Sequence, residues 1–280
     1  RFGLMTRLFA TDLDGTLLNA QHECDEIIDK GIQAVFDSGN YFAVATGRHY
    51  HQVPVSYSNN KGYYVCLNGS VIADHKGKVM HQELIDKTVL SALIDQFKSY
   101  DFEYISANHI YTFLDCNDHL TFLKDAFIDE GEDISWIEKF MHDNFKNTIY
   151  NASKEQILNA DICKINLHRR EGMDYSPVEN YLATSNAIMN TPCDPLMMEI
   201  TSLGVSKASA LKWLAKYLDI NENDVYVYGD GGNDIDMLAS FNHSYAPCNA
   251  SNQAKHVAKT IIGPFEEHSV IQHIESLLKY

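Results

Sequence analysis

The sequence predicts an α/β protein: a layered domain with a parallel sheet, interrupted by an inserted α+β segment. Three observations carry this. Short apolar runs alternate with apolar residues at helical spacing near both ends of the chain. Four of those runs end in polar clusters, as strands do when their carboxyl ends line a ligand-binding sheet edge. Between roughly residues 84 and 199 the alternation gives way to strand pairs.

The elements follow in order. Leu8-Phe9-Ala10 is an apolar run ending at Thr11-Asp12. Ile27, Ile28, Ile32, Val35 and Phe36 recur at helical spacing, and Ser38-Gly39-Asn40 supplies a stop. Tyr41–Ala45 reads as a second buried strand, ending at Thr46-Gly47-Arg48. Tyr63–Leu67 reads as a third, ending at Asn68-Gly69. Val225–Tyr228 reads as a fourth, ending at Gly229-Asp230. Strands separated by helices pair in parallel, so the four clusters should meet at one edge. Inside the insertion, Ile85, Val89, Leu90, Leu93, Ile94 and Phe97 mark a helix. Phe102–Ile105 and Ile110–Leu114 form a strand pair around Asn108-His109. Cys163–Leu167, Ala187–Met189 and Met197–Ile200 add strands to a mostly antiparallel sheet. The first domain then resumes with a helix carrying Ala208, Leu211, Leu214, Ala215 and Leu218. Val270, Ile271, Ile274, Leu277 and Leu278 mark the last helix.

Composition narrows the function. The net charge of -16 excludes a general binder of nucleic acid or anionic membrane, which needs a basic face. A phosphorylated substrate stays possible, because a bound cation reverses the local field. The six cysteines are scattered without a C-x-x-C pair, as in a reduced cytoplasmic protein. The start lacks the apolar core of a signal peptide, and no run is long enough to span a bilayer.

Chemistry concentrates at the strand ends. Asp12-Leu13-Asp14-Gly15-Thr16-Leu17 sets two carboxylates two residues apart behind a strand. A carboxylate can attack phosphorus, and a second can protonate the leaving oxygen and then activate water. A lone D-x-D is more often an acidic turn; the complete string behind an apolar strand favours chemistry. Gly229-Asp230-Gly231-Gly232-Asn233-Asp234 is a second acidic cluster. With Asp12, Asp230 could hold a hard cation; the string also reads as a turn with Asn233 or Asp234 capping the next helix. The order of a calcium loop is absent. The hydroxyl of Thr46 and nearby backbone N–H groups could bind phosphoryl oxygens. Arg48 could touch substrate or form an exposed salt bridge, and Asn68-Gly69 could be a plain turn. Lys207 falls at a helix start, where a cation opposes the macrodipole unless an anion lies near; otherwise it is a solvated surface lysine.

Together these strings resemble the haloacid dehalogenase (HAD) superfamily of phosphatases, in particular the Cof-type subfamily with a large C2B-type cap. The matching strings are Asp12–Leu17, Thr46-Gly47-Arg48, Gly204–Lys207, Gly229–Asp234 and Asn249-Ala250, spread over nearly the whole chain. The resemblance implies a Rossmann-like parallel-sheet core at 1–83 and 200–280 and an α+β cap, the substrate-specificity domain, at 84–199. It implies that Asp12 attacks the phosphoryl group and that Asp14 is general acid, then base. Thr46 and Lys207 would bind phosphoryl oxygens, with Gly47, Arg48, Asn68, Gly69 and Asn233 as further phosphate or substrate contacts. Mg2+ would be held by Asp12, the Asp14 backbone carbonyl and Asp230, with Asp234 in support. The implied reaction is Mg2+-dependent hydrolysis of small phosphorylated metabolites, such as sugar phosphates, through an aspartyl-phosphate. A sugar-phosphate mutase would use the same two aspartates; a non-catalytic phospho-ligand module would not need the full set. Proximity to Asp12 is expected to raise the Asp14 pKa, countered partly by the metal. Two departures stand out: Ala208 where the family usually has glycine, and Pro247-Cys248 ahead of Asn249.

Overall fold

The chain lays down β1 (Leu8–Thr11), α1 (Glu26–Asp37), β2 (Tyr41–Ala45), β3 (Gly62–Cys66), β4 (Val71–Ala73) and β5 (Val79–Gln82). It continues with α2 (Lys87–Gln96), β6 (Glu103–Ser106), β7 (Ile110–Tyr111), α3 (Cys116–Asp129), α4 (Ile134–Phe145) and β8 (Thr148–Ile149). Next come α5 (Lys154–Asn159), β9 (Ile162–His168), α6 (Ser176–Thr184), β10 (Ile188–Asn190) and β11 (Met197–Ser202). It ends with α7 (Lys207–Tyr217), β12 (Val225–Tyr228), α8 (Ile235–Ser240), β13 (His243–Pro247), α9 (Asn252–Val257), β14 (Thr260–Ile262) and α10 (Ser269–Leu278). This computed structural model describes residues 6–129, 134–193 and 195–279. Two compact units emerge. One holds the chain up to Arg48, Val53–His81 and everything from Val205; the other holds His49–Gln52 and Gln82–Gly204.

The first unit is built on an eight-stranded sheet of order β14-β13-β12-β1-β2-β3-β4-β5. From β14 to β3 every neighbouring pair is parallel. The antiparallel pairing of β4 with β3 ends that run. Strands β1 and β3 are buried along their whole length, which explains why they read as unbroken apolar runs. From β1 the chain first builds outward through β2 and β3, then returns to β12 on the other side. The order therefore reverses between β1 and β12, the crevice where open α/β sheets bind ligands. Register sets the level of the edge: Thr11 lies opposite Tyr228 and Val44, so the residues just beyond all three strands share one end.

Local sequence fixes the helix starts on that edge. Asp25 caps α1 by accepting from the Ile27 and Ile28 N–H groups. Ser206 caps α7 in a reciprocal box with Ser209, which makes Lys207 the first helical residue. Three expectations change. Ile27 is 53% exposed, and the buried face of α1 consists of Ile28, Gly31, Ile32, Val35 and Phe36. Strand β3 stops at Cys66, because Leu67 turns to φ +51° and Asn68 to φ +56°. Left-handed angles at a leucine are costly and end a strand regardless of its apolar pattern. Strands β13 and β14 extend the sheet beyond what was read. His243 and Ser244 in β13 and the exposed Thr260 and Ile261 in β14 give neither an apolar run nor alternation.

The second unit has a six-stranded sheet of order β10-β11-β9-β6-β7-β8, antiparallel except for the β7–β8 pair. Ile165 and Leu167 of β9 enter a core shared with Leu90, Leu93, Ile94 and Val178. The alternate residues Lys164, Asn166 and His168 face the other way, into a buried polar layer. Lys164 is ion-paired there with Glu199. Burial alone would raise the pKa of Glu103, yet His119 at 2.9 Å and His168 at 3.6 Å hold its carboxyl well below the usual range. The β7 strand ends at Tyr111, short of the run expected to Leu114, since Thr112 already turns to receive the chain at Ile149 and Ala152. No helix among the described residues is long and apolar enough to cross a membrane.

His49 belongs to this unit, its ring nitrogen 3.1 Å from the Ser106 carbonyl oxygen. Burial, with the charges of His51 and His109, lowers its pKa to about 4. An unfolded histidine binds a proton near pH 6.5, so the folded state loses stability as pH falls from there toward 4. At most about 3 kcal/mol rides on this group. Denaturant titrations at pH 7 and pH 4.5 should show a smaller loss in His49→Gln than in the parent. Equal losses would remove His49 from the acid response.

Candidate active site

The acidic turn after β1 begins at Asp12, whose N–H donates to the Tyr228 carbonyl of β12 at 2.9 Å. This bond locks the turn to the switch point. The backbone kinks at Asp14 and turns left-handed at Gly15, φ +69°. A Cβ on Gly15 would stand 2.5 Å from Asp230 Oδ2, so only glycine lets the two acidic segments approach. Thr16 donates its hydroxyl to Asp230 Oδ1 at 2.7 Å, and Asn249 Nδ2 donates to the Gly15 carbonyl at 2.9 Å.

Lys207 ties the far segments together. Its ammonium, wholly buried, donates to Asp12 Oδ1 at 2.8 Å and Asp234 Oδ1 at 2.6 Å. Burial would lower its pKa, but the two carboxylates raise it further, so it stays a cation at any working pH. They also offset the unfavourable macrodipole at the start of α7. Asp234 uses its other oxygen to accept the N–H groups of Asp230 (2.9 Å) and Gly231 (3.0 Å). It thus fixes both the turn after β12 and Lys207.

Asp12, Asp230 and Asp234 each bring an oxygen within 4.8 Å of the others. Burial, then the charge of Asp234, raises the Asp12 pKa well above the ordinary carboxylate value. The same causes push Asp230 up to about 6. When all three carboxylates are ionised, the one ammonium leaves an excess of two negative charges. The donor set is all hard oxygen, so the residues fit a divalent cation such as magnesium. Both oxygens of Asp234 already accept protein donors, so direct ligation falls to Asp12 and Asp230.

Thr46 is buried at the end of β2, and its hydroxyl oxygen accepts the Arg48 N–H at 3.0 Å. Gly47 lies between them in the turn. Asn68 accepts from Asn233 Nδ2 at 3.0 Å, so these two residues meet across the edge. Gly69 has φ +97°, and a Cβ there would lie 2.1 Å from the Ser206 carbonyl oxygen. Its position lets the start of α7 come close to the turn after β3.

Asp14 behaves differently from the sequence expectation. Its carboxylate receives the Arg48 Nε at 2.8 Å, a second Arg48 nitrogen, and His22 Nδ1 at 2.7 Å. Burial would raise its pKa, but Arg48 and His22 outweigh that and hold it well below the usual range. Proximity to Asp12 does not raise it. The reason is geometric: the turn sets the Asp14 carboxylate between a guanidinium and an imidazole. The Arg48 side chain is mostly buried, 14% exposed, while Asp14 at 39% still reaches solvent, so the pair sits at the site's edge and is not a fully exposed salt bridge.

A sequence pattern of haloacid dehalogenase-like hydrolases matches residues 9–274. The chain belongs to the haloacid dehalogenase-like hydrolases. It is therefore an enzyme. Phosphatase YwpJ of Bacillus subtilis (strain 168) is 27% identical over 97% of this chain and 100% of its own length. The 5-amino-6-(5-phospho-D-ribitylamino)uracil phosphatase YbjI of Escherichia coli (strain K12) is 26% identical, over 98% of this chain and 97% of its own. A solved haloacid dehalogenase-like hydrolase from B. subtilis superposes with a TM-score of 0.82 at 25% identity, covering 97% of this chain and all of the other.

The site of this hydrolase also contains residues with no role in the sequence reading. Thr16 belongs to the Asp12–Leu17 string, and its hydroxyl meets Asp230 from 214 positions away, a contact that no local pattern shows. His22 carries no local signal: it is one polar residue in a loop, and only the fold brings it to Asp14.

Proposed function

We propose that this hydrolase cleaves phosphate monoesters of small phosphorylated metabolites, using Mg2+ and an aspartyl-phosphate on Asp12. The observation that carries the reading is the charge count: Asp12, Asp230 and Asp234 surround the buried ammonium of Lys207 and, once ionised, leave two negative charges to be met. Mg2+ held by Asp12, the Asp14 carbonyl and Asp230, with Asp234 in support, would screen the phosphoryl oxygens from the anionic nucleophile.

The chain's own groups do the rest. Lys207 holds the Asp12 carboxylate and offers its remaining donor capacity to the phosphoryl oxygens. Thr46 and the turn through Gly47 supply hydroxyl and N–H donors to the same oxygens, with Asn68, Gly69 and Asn233 shaping the rim. Asp12 attacks phosphorus, the bond to the ester oxygen breaks, and a proton from Asp14 goes to that oxygen. Water then attacks the acyl-phosphate, Asp14 takes its proton, and phosphate leaves with Asp12 restored. In the free enzyme Asp14 stands as the carboxylate, held by Arg48. Drawing Arg48 toward an incoming phosphate would loosen that hold and let Asp14 carry its proton. We assign substrate choice to the second unit. The named activity of the E. coli relative, toward a phosphorylated ribityl compound, fits a small phosphorylated metabolite as substrate.

Release of nitrophenol from p-nitrophenyl phosphate should stop in excess chelator and return with Mg2+. Asp230→Asn keeps an acceptor for Thr16 but removes a charge that burial opposes. It should cut turnover by about 10²-fold or more while stabilising the metal-free protein by about 0.5–2 kcal/mol. Full turnover in chelator would sink the metal assignment.

A further inference from the structure

We propose that His22 is a positioning residue for Asp14, fixing the acid's carboxyl group while Arg48 is shared with the substrate. The proposal rests on the phosphatase reading above and adds a residue that it does not contain.

The geometry is specific. Asp14 as carboxylate can only accept, so His22 Nδ1 carries the hydrogen and donates to Oδ1 at 2.7 Å. Arg48 spans both oxygens from the other side. An arginine beside a phosphate site is drawn to the dianion, since guanidinium pairs with phosphate as readily as with carboxylate. Once Arg48 shifts, the Asp14 side chain needs another hold to keep its oxygen aligned with the ester. His22 is the group placed to give it.

The backbone supports the same reading. His22 sits at φ +59°, in the left-handed region, where histidine is found more often than most residues with a side chain but still at a cost. Asn19 imposes it. Its side-chain oxygen accepts the Gln21 and Glu23 N–H groups, both at 3.0 Å, and its carbonyl accepts the His22 N–H at 3.0 Å. Asn19 Nδ2 in turn reaches Asp25, the cap of α1, whose carboxylate also pairs with His268 at 2.7 Å. The turn is thus anchored to a helix start, and it carries the His22 ring to Asp14.

The test compares leaving groups. Proton donation matters for an alkyl phosphate, whose alkoxide leaves poorly, and much less for p-nitrophenyl phosphate. His22→Gly removes the ring and suits the positive φ, so the turn keeps its course. kcat/KM reports the first chemical step in both cases. In His22→Gly the loss of kcat/KM should be about 10-fold or more greater on the alkyl ester than on the aryl ester, within the ~10²–10⁴ that general acid catalysis contributes. Asp14→Asn should show the same discrimination, larger. Equal losses on both esters, or no loss on either, would overturn the role of His22 and leave the phosphatase reading standing. A parent enzyme that hydrolyses neither ester would overturn both.

Discussion

Asp12→Asn should lower phosphate release by on the order of 10⁴-fold or more, to the background of the assay. The substitution is nearly isosteric. The amide oxygen can still accept from Lys207, which otherwise donates to Asp12 Oδ1 at 2.8 Å. What is lost is the anionic nucleophile, and no neighbouring carboxylate can replace it. Asp230 is committed to Thr16, Asp234 to Lys207 and two backbone N–H groups, and Asp14 to Arg48 and His22. Stability should not suffer. Burial and the charges of Asp234 and Asp230 raise the Asp12 pKa, so ionised Asp12 is held against resistance in the metal-free protein. A neutral amide removes that resistance, and the metal-free variant should melt no lower than the parent. Acid-quenched parent enzyme should carry phosphate on the peptide containing Asp12, and the variant should not. Turnover within tenfold of the parent would end the nucleophile assignment.

Lys207→Met should combine the other large effects, on activity and on stability. Methionine matches the length of the stem, but Asp12 and Asp234 then face each other without a cation. Breaking a buried pair by removing one partner costs about 3–5 kcal/mol, because the remaining charge stays buried and unpaired. Here two carboxylates share the cation, at 2.8 and 2.6 Å. Loss of a donor aimed at the transferring phosphoryl group should cost a further ~10²–10³ in kcat. Arginine should not restore either property, because the Lys207 side chain is wholly buried and a planar fork does not fit a space shaped for a point charge. Denaturant titration and steady-state kinetics on one preparation separate the effects. A variant as stable as the parent would mean that Asp12 and Asp234 are neutral in the folded protein.

Reading the sequence placed the strands of the first unit where they ended in chemistry. β1, β2 and β12 are buried apolar runs, and such runs show in any single chain. The same reasoning stopped short at β13 and β14. Their pairing comes from neighbours in the sheet, and His243, Ser244 and Thr260 give no hydrophobic pattern. It also ran one residue too far at Leu67, where a left-handed turn overrides an apolar side chain. Within the site, residues in dense strings were visible because their spacing is local. His22 and Asn249 were not given roles, since each meets its partner only through a loop path.

The sequence by itself determined that the chain is an α/β protein with an insertion, and that its carboxylates lie at strand ends. Burial pattern and turn residues are properties of short segments, so they survive in a linear reading. Only the tertiary structure decided how charge is shared among those residues. Lys207 lies 195 positions from Asp12, yet their side chains meet at 2.8 Å. Arg48 lies 34 positions from Asp14, and it turns an acid expected to hold its proton into a carboxylate in the free enzyme. Electrostatic coupling falls off with distance in space and is indifferent to distance along the chain.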